Sequence, residues 1–236
     1  MFDVNKFGKW KFCNDEDIRA VVGDNATDLK IAVMADVGRC DYKTDIIDRA
    51  DSPIDLIRVA TYLNAIPSAV QMIEDAAKKG YEVSCNIMAI SNDNDTDIDE
   101  ALELIGHSNV DGIYIVDSYG AIYPEQMRKL ADKYLAFAEK YHKYVGIHAH
   151  NNQQLAFANT IEALSRGVSY LDVTVSGMGR GAGNCASEIL LGFLKNPKYN
   201  ILPILDILEK EIIPLKEQGV IWGYDIPYLL TGQLNQ

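Results

Sequence analysis

Six short apolar runs recur along the chain at nearly even intervals, and amphipathic stretches separate them. The runs are Leu29–Met34, Asp55–Ala60, Glu82–Met88, Gly112–Val116, Tyr144–His148 and Tyr170–Val175. They begin 26 to 32 residues apart, and most are rich in β-branched residues, which is typical of buried strands. Such repeats predict parallel strands joined by right-handed crossovers, in either a closed barrel or an open doubly wound sheet. Both architectures place binding chemistry at the carboxyl ends of the strands.

The stretches between and after the runs carry the pattern of helices. Six helices are predicted, over Ile66–Lys79, Asp97–Ile105, Tyr123–Tyr141, Leu155–Arg166, Ser187–Leu194 and Ile201–Lys216. The first has apolar residues at helical spacing, and Gly80 follows it as a C-terminal cap. Because no linker or low-complexity segment interrupts the series, we expect one α/β domain over residues 1–200. A helical segment over residues 201–236 is expected to pack on it.

Composition excludes several classes of protein. The 236 residues carry a net charge of −12 without an offsetting basic patch, which argues against nucleic-acid binding. No apolar run reaches the roughly 18–20 residues of a membrane span. The N-terminus also lacks the apolar core of a signal peptide. The four cysteines are widely spaced, so we expect no disulfide framework and a cytoplasmic location.

Two histidines mark the end of the fifth predicted strand. His148 and His150 lie two residues apart, so their side chains are expected on one face of the strand. Two neutral imidazoles aimed at one point are typical of a divalent-metal site, usually completed by a carboxylate and water. The alternative is a pair of histidines whose ring nitrogens bond backbone carbonyls.

A glycine-rich segment, Ser176–Asn184, follows the sixth run. Its glycines, among them Gly177 and Gly179, would let the backbone approach a bound substrate closely. The helix that begins after it would offer free N–H groups to an anion. The spacing is not that of a dinucleotide-binding loop, and a connection without any ligand is the alternative.

Three further polar residues lie on or next to predicted strands. Asp117 and Ser118 follow the fourth run, where they either contact a substrate at the mouth or form part of a turn. Arg58 lies within the second strand, and a charge there needs a partner. That partner is either an anionic substrate or a barrel carboxylate such as Asp172.

One long segment resembles a known family. GIHAHNNQQLAFANTIEALSRGVSYLDVTVSGMGRGAGN is similar to the hallmark region of the pyruvate-dependent metal aldolases and their relatives, the DRE-TIM metallolyases. These include 4-hydroxy-2-oxovalerate aldolase, HMG-CoA lyase, and the isopropylmalate and citramalate synthases. RVATYLNAIPSAVQMIEDAAKKGYEVSCNIM and IVDSYGAIYPEQM also resemble strands of the aldolase branch, and the resemblance runs from about residue 29 to the end.

The resemblance implies a TIM-type (β/α)8 barrel with a divalent metal in its mouth. His148 and His150 match the two histidine ligands, and Asn184 matches an asparagine that ligates metal in the lyase and synthase branches. The metal would be Mn²⁺ first of all, with Mg²⁺, Co²⁺ and Zn²⁺ as alternatives. A tyrosine near the end of the barrel helps the aldolase branch protonate or orient the substrate, and Tyr224 is the candidate.

The family's N-terminal D-x-T-L-R-D-G segment, which supplies a metal-binding aspartate and a catalytic arginine, is absent from residues 1–25. LKIAVM resembles the third strand of the family barrel, so the chain is expected to hold about six of eight βα units. Such a sheet has two exposed edges. Either the chain is part of a longer protein, which we favour, or another chain covers the edges, or the molecule is poorly stable.

The resemblance predicts an aldolase that cleaves a 4-hydroxy-2-oxo acid to pyruvate and an aldehyde. A Claisen-type acyl-CoA synthase and a non-catalytic binding module are the alternatives. No residue is assigned as the general base, because His107 and His142 lie near predicted helix ends. We expect a small 2-oxo acid substrate, a homo-oligomer, and an aldehyde dehydrogenase as an additional partner, with no nucleic acid and no membrane.

Overall fold

The computed structural model describes residues 6, 8–196 and 198–236. Residues 1–5 and 7, which belong to the stretch without a D-x-T-L-R-D-G segment, lie outside this description. Six parallel strands form one sheet in the order of the sequence. They are β1 (Ala32–Asp36), β2 (Leu56–Thr61), β3 (Glu82–Ile87), β4 (Gly112–Asp117), β5 (Tyr144–Ala149) and β6 (Tyr170–Leu171). Sequential parallel order with helical crossovers makes the fold TIM-barrel-like, as predicted.

Helices follow the strands at the predicted places, and two short helices before β2 in the described part of the chain were not predicted. The helices are α1 (Asp15–Val22), α2 (Tyr42–Asp45), α3 (Ile66–Lys78), α4 (Asp95–Gly106), α5 (Pro124–Tyr141), α6 (Ala156–Arg166), α7 (Ser187–Leu194), α8 (Leu202–Ile207), α9 (Ile213–Glu217) and α10 (Ile226–Leu234). The start of α4 lies two residues before the predicted one, because Asn94 accepts a hydrogen bond from the backbone N–H of Asp97 as an N-cap.

Two predicted elements differ from the structure. The predicted helix over 201–216 is divided by a π-helical turn, Leu208–Ile212, before α9. Pro214 lies in the first turn of α9, where its missing N–H interrupts the regular helical bonding. The sixth strand ends at Leu171 rather than Val175, since Thr174 instead pairs with Ala186 in an isolated bridge.

The two faces of the sheet have different roles. One face points outward and packs under the helices through buried apolar residues such as Ile57, Cys85 and Ile113. The residues between them point inward, so that Arg58, Tyr114 and His148 share the concave face. The apolar core therefore lies between the sheet and the helices, and the inner face is left for polar chemistry.

Aromatic rings fill the inner face below the histidines. The Tyr144 and Tyr170 rings stack at 4.1 Å, and Tyr114 meets Tyr144 edge to face at 6.4 Å. Two glycines leave room for these rings: a Cβ on Gly146 would lie 2.3 Å from the Tyr114 ring, and one on Gly112 would lie 2.1 Å from the Tyr144 ring. The rings thus form a packed floor beneath the mouth.

Strands β1 and β6 are the edges of the sheet in the described part of the chain. Met34 on β1 is 53% exposed, as expected for a strand without a second neighbour. The four cysteines are free thiols in the structure. Among the described residues, no helix combines the length and the apolar character that a membrane crossing requires.

Candidate metal centre

The carboxyl end of β5 presents His148 and His150 together, as the two-residue spacing predicts. Their ring centroids lie 4.9 Å apart with the planes at 84°. An isolated antiparallel bridge places Asn184 directly beside His150. Three potential donors, two imidazoles and one amide, therefore converge at the mouth of the sheet.

A backbone carbonyl orients His150. Its Nδ1 donates to the main-chain oxygen of Asp117 over 2.9 Å. A carbonyl can only accept, so this bond places the proton of the neutral ring on Nδ1 and leaves the Nε2 lone pair free. Burial, followed by the charge of His148, lowers the pKa of His150 to about 4. The ring is neutral at pH 7, as a metal ligand must be.

A side-chain carboxylate orients His148. Its Nδ1 lies 3.0 Å from Oδ2 of Asp172. Arg58 binds the same carboxylate, with Nη1 donating to Oδ1 over 3.1 Å and Nη2 to Oδ2 over 2.7 Å. Burial alone would raise the pKa of Asp172, but the hydrogen bonds from His148 and Arg58 outweigh it and lower that pKa. Of the two partners predicted for Arg58, the structure shows the carboxylate.

The glycine-rich segment wraps around Asn184. Its backbone N–H donates to the Gly177 carbonyl over 2.9 Å, and its Nδ2 donates to the Met178 carbonyl over 3.2 Å. A Cβ on Gly179 would lie 2.5 Å from Nδ2, and one on Gly177 would lie 2.9 Å from the Asn184 carbonyl. These glycines therefore make room for Asn184, a structural reason for them besides the predicted contact with substrate.

The Asn184 Oδ1 atom is the strongest sign that this mouth suits a cation. It is buried, and no hydrogen-bond donor in the described part of the chain reaches it. A buried acceptor without a partner is costly unless a ligand binds it. Imidazole nitrogens and an amide oxygen suit a divalent metal, so His148, His150 and Asn184 fit the implied group.

The described residues supply only part of a metal shell. They contain no cluster of three or more His, Cys, Asp or Glu side chains arranged to hold an ion. Asp172, the carboxylate beside His148, is occupied by that ring and by Arg58. The donor set on this stretch is therefore two imidazoles and one amide.

Asp117 and Ser118 form loop contacts in the structure. The Asp117 carboxylate accepts from the backbone N–H groups of Ala121 and Ile122, as the turn alternative predicts. Burial outweighs these bonds and raises the pKa of Asp117 to about 6. The Ser118 hydroxyl accepts from the N–H of Ala89 and so connects the loops after β3 and β4. The direct role of both residues in this structure is to shape the mouth.

A side-chain carboxylate lies at the helix end where an anion was expected to bind. Glu188 lies in the first turn of α7 and accepts from the backbone N–H of Ser176 over 3.0 Å and from the Ser187 hydroxyl over 3.3 Å. The protein's own carboxylate therefore lies at this end of α7, where an acidic side chain complements the helix dipole.

The C-terminal segment crosses the mouth. Trp222 Nε1 donates to the Ser176 carbonyl over 2.9 Å, and Asn152 Nδ2 donates to Thr231 Oγ1 over 2.9 Å. The predicted Tyr224 is 63% exposed. A second tyrosine, Tyr228, places its ring against Gly181 of the glycine-rich segment. Sequence reasoning missed Tyr228, because only the docking of α10 distinguishes it from Tyr224.

Two surface depressions lie at the opposite end of the sheet. The larger, about 650 Å³, is lined by Glu82, Tyr144 and Tyr170, which begin their strands, together with neighbouring loop residues. The smaller, about 530 Å³, adjoins it at Tyr81 and Asp111. Both are far along the strands from the histidines, so neither depression belongs to the candidate centre.

Curated relatives are similar to this chain in sequence. A Bacillus cereus 4-hydroxy-2-oxovalerate aldolase is 28% identical over 214 residues, covering 89% of this chain and 61% of the relative. A Mycobacterium tuberculosis oxaloacetate decarboxylase is 31% identical over 153 residues, covering 65% of this chain and 45% of the relative. The chain thus spans about half to three fifths of the length of the curated relatives it matches.

Solved structures agree. The N-terminal domain of a Bacteroides vulgatus protein, described as a candidate aldolase, superposes with a TM-score of 0.72 at 29% identity, covering 89% of this chain and 71% of that one. The carboxyl transferase domain of Rhizobium etli pyruvate carboxylase gives 0.69 at 16% identity, covering 88% and 39%, and shows the fold alone. The sequence profile of the HMGL-like family matches residues 10–207. The chain belongs to the HMGL-like family.

Proposed function

We propose that the protein acts as a metal-dependent aldolase, a carbon–carbon lyase that cleaves a 4-hydroxy-2-oxo acid to pyruvate and an aldehyde. One observation carries the proposal: His148, His150 and the unpartnered Oδ1 of Asn184 converge at the mouth of a TIM-barrel-like sheet. The aldolase names of the relatives in Bacillus cereus and Roseiflexus castenholzii support the choice of reaction.

The chain's residues would bind a divalent metal, with Mn²⁺ as the first choice and Mg²⁺, Co²⁺ or Zn²⁺ as alternatives. When bound, the metal supplies Lewis-acid stabilisation of the negative charge that develops on the 2-oxo group of the substrate. His148 and His150 would hold it through Nε2, because Asp172 and the Asp117 carbonyl occupy the Nδ1 atoms. Asn184 would contribute Oδ1.

The reaction breaks the bond between C3 and C4 of the substrate. A base takes the proton of the C4 hydroxyl, C4 becomes the aldehyde carbon, and the bonding electron pair passes into the enolate of pyruvate, which is then protonated at C3. Tyr224 remains a candidate for that protonation, and Tyr228 joins it because its ring contacts Gly181. His107 and His142 cap the ends of α4 and α5, so neither is assigned as the base.

Decarboxylation of oxaloacetate is a second candidate reaction. The observation that favours it is the 31% identity to the Mycobacterium tuberculosis oxaloacetate decarboxylase. Loss of the carboxylate as CO2 leaves its electron pair in the same pyruvate enolate. Both reactions therefore need the same charge stabilisation, but they differ in the group that leaves C3, and only the aldol cleavage needs a base to take a hydroxyl proton.

The test uses the complete encoded protein with Mn²⁺ and 4-hydroxy-2-oxovalerate or oxaloacetate. Pyruvate is followed as NADH oxidation by added lactate dehydrogenase. We expect release from the first substrate that EDTA removes, that is lost in His148→Ala, and that persists in the control His107→Ala. Absence of pyruvate from 4-hydroxy-2-oxovalerate would contradict the aldolase. Consumption of acetyl-CoA with a 2-oxo acid would indicate the Claisen-type synthase instead.

A further inference from the structure

We propose that Asp172 is a positioning residue for His148 and that Arg58 holds Asp172 in place for this task. The pair would fix the ring of His148 so that Nδ1 carries the proton and Nε2 faces the mouth. This proposal concerns the candidate metal centre, and the reason for orienting His148 rests on the proposed function. The orientation itself can be tested on the metal-free protein.

Hydrogen bonds to both oxygens hold the Asp172 carboxylate in one orientation. Both of its oxygens bind the Arg58 guanidinium, over 3.1 and 2.7 Å, and Oδ2 also lies 3.0 Å from His148 Nδ1. A two-point bond between a planar guanidinium and a carboxylate fixes the plane of both groups. Oδ2 is therefore held in one place and presents one direction to the imidazole.

Arg58 is itself confined, so it can serve as an anchor. Its guanidinium carbon lies 4.2 Å from the centroid of the Tyr114 ring, and its Nε lies 3.5 Å from Asn86 Oδ1. The side chains of Arg58 and Asp172 are only 17% and 19% exposed. Gly146 lies against Tyr114 and leaves room for that ring under the guanidinium. Packing therefore limits the conformations that Arg58 can adopt.

The pair also bridges the sheet. Arg58 lies on β2 and Asp172 directly follows β6, and the two residues are 114 positions apart in the chain. Removing one partner of a shielded ion pair leaves an uncompensated charge, so a loss of stability alone would not distinguish positioning from a structural role. The test needs readouts that report the His148 ring itself.

The experiment compares the wild type with Asp172→Asn and Arg58→Lys. Long-range ¹H–¹⁵N spectra of ¹⁵N-histidine-labelled, metal-free protein at pH 8 report which ring nitrogen of His148 is protonated. Mn²⁺ affinity is measured by calorimetry and by the electron paramagnetic resonance signal of free Mn²⁺. The matched control is Asp55→Asn, because Asp55 pairs with Arg49 near the amino ends of the strands, away from the histidines.

We expect the wild type to carry the proton on Nδ1 of His148. Asp172→Asn should mix the two tautomers of His148, leave His150 unchanged, and weaken Mn²⁺ binding about 10- to 100-fold. Arg58→Lys keeps the charge but loses the two-point bond, so it should give a smaller change of the same kind. If Asp172→Asn does not fold, the Arg58→Lys variant still tests the proposal. Asp55→Asn should change neither readout.

Two results would overturn the inference. One is a His148 ring that keeps the same tautomer and the same Mn²⁺ affinity, within about twofold, in both variants. The other is an equal effect of Asp55→Asn, which would indicate general destabilisation. A wild type that binds Mn²⁺ but releases no pyruvate would contradict the proposed function alone. A wild type that binds no Mn²⁺ would also contradict that function, and the tautomer spectra would still decide the role of Asp172.

Discussion

The two histidines of the candidate centre are held in different ways. His150, on the side of the mouth next to β4, donates to a main-chain carbonyl. His148, on the side next to β6, bonds a carboxylate that Arg58 holds from across the sheet. Both arrangements leave Nε2 free, but the first depends on the backbone path and the second on two side chains. Substitution at the partner should therefore disturb the two rings unequally.

Removal of either histidine should give the largest effect, and the effect should be similar for His148 and His150. His148→Ala and His150→Ala each delete one donor, so each should lower Mn²⁺ affinity by more than about 100-fold, as loss of a direct ligand exceeds loss of its supporting partner. Calorimetric titration measures this, with His107→Ala as the control on the exposed end of α4. Retention of tight Mn²⁺ binding in either variant would contradict the assignment of that ligand.

Gly179→Ala tests the third donor. The new Cβ would lie 2.5 Å from Asn184 Nδ2, so the amide must shift and Oδ1 must leave its place. We expect Mn²⁺ affinity to fall by about tenfold, in the lower range for a disturbed supporting contact. Gly192→Ala on α7 is the matched control, since no atom lies within 4 Å of its added Cβ. Equal affinities of the two variants would contradict the role assigned to Gly179.

Asp117→Asn tests whether the side chain of residue 117 influences the His150 ring. Asparagine retains one acceptor but presents an NH2 group where a carboxylate oxygen accepts from the loop, so the free energy of unfolding should fall by about 1–3 kcal/mol. The proton of His150 should stay on Nδ1, because its partner is the main-chain oxygen of residue 117. Urea unfolding measures the first effect and ¹⁵N spectra measure the second. A changed His150 tautomer would show that the side chain also controls the ring.

Acidification tests the protonation of His150 in the folded chain. Since the folded pKa of His150 is about 4, below the ordinary 6.5, the unfolded chain binds a proton at this residue between these values and the folded chain does not. The free energy of unfolding contributed by His150 is therefore fully present above about pH 6.5 and falls as the pH is lowered toward 4.

The comparison with His150→Gln isolates this contribution, because Asp117, whose raised pKa acts in the opposite direction, is present in both proteins. Urea unfolding at pH 7, 6 and 5 should show the wild type losing more stability than the variant. Parallel losses in the two proteins would mean that His150 does not exclude the proton.

Much of the fold follows from local pattern. Short apolar runs at even spacing predict the parallel strands, and the period of two along a strand predicts that His148 and His150 share a face. The predicted end of β6 was wrong, and the helix predicted over 201–216 is present from Leu202 to Glu217 with a π-helical turn inside it. A bridge to Ala186 and the missing N–H of Pro214 decided those two points, and apolar periodicity reports neither of them.

The sequence by itself determined the strand–helix order, the paired imidazoles and the glycines that surround Asn184. Only the tertiary structure decided that Arg58 binds Asp172 and that the Tyr228 ring lies against Gly181 of the glycine-rich segment. It also decided that Asp117 uses its carboxylate for a turn and its carbonyl for His150. The reason is physical: backbone periodicity is a local property, whereas the partner of a buried charge or an imidazole proton depends on which distant strand lies beside it.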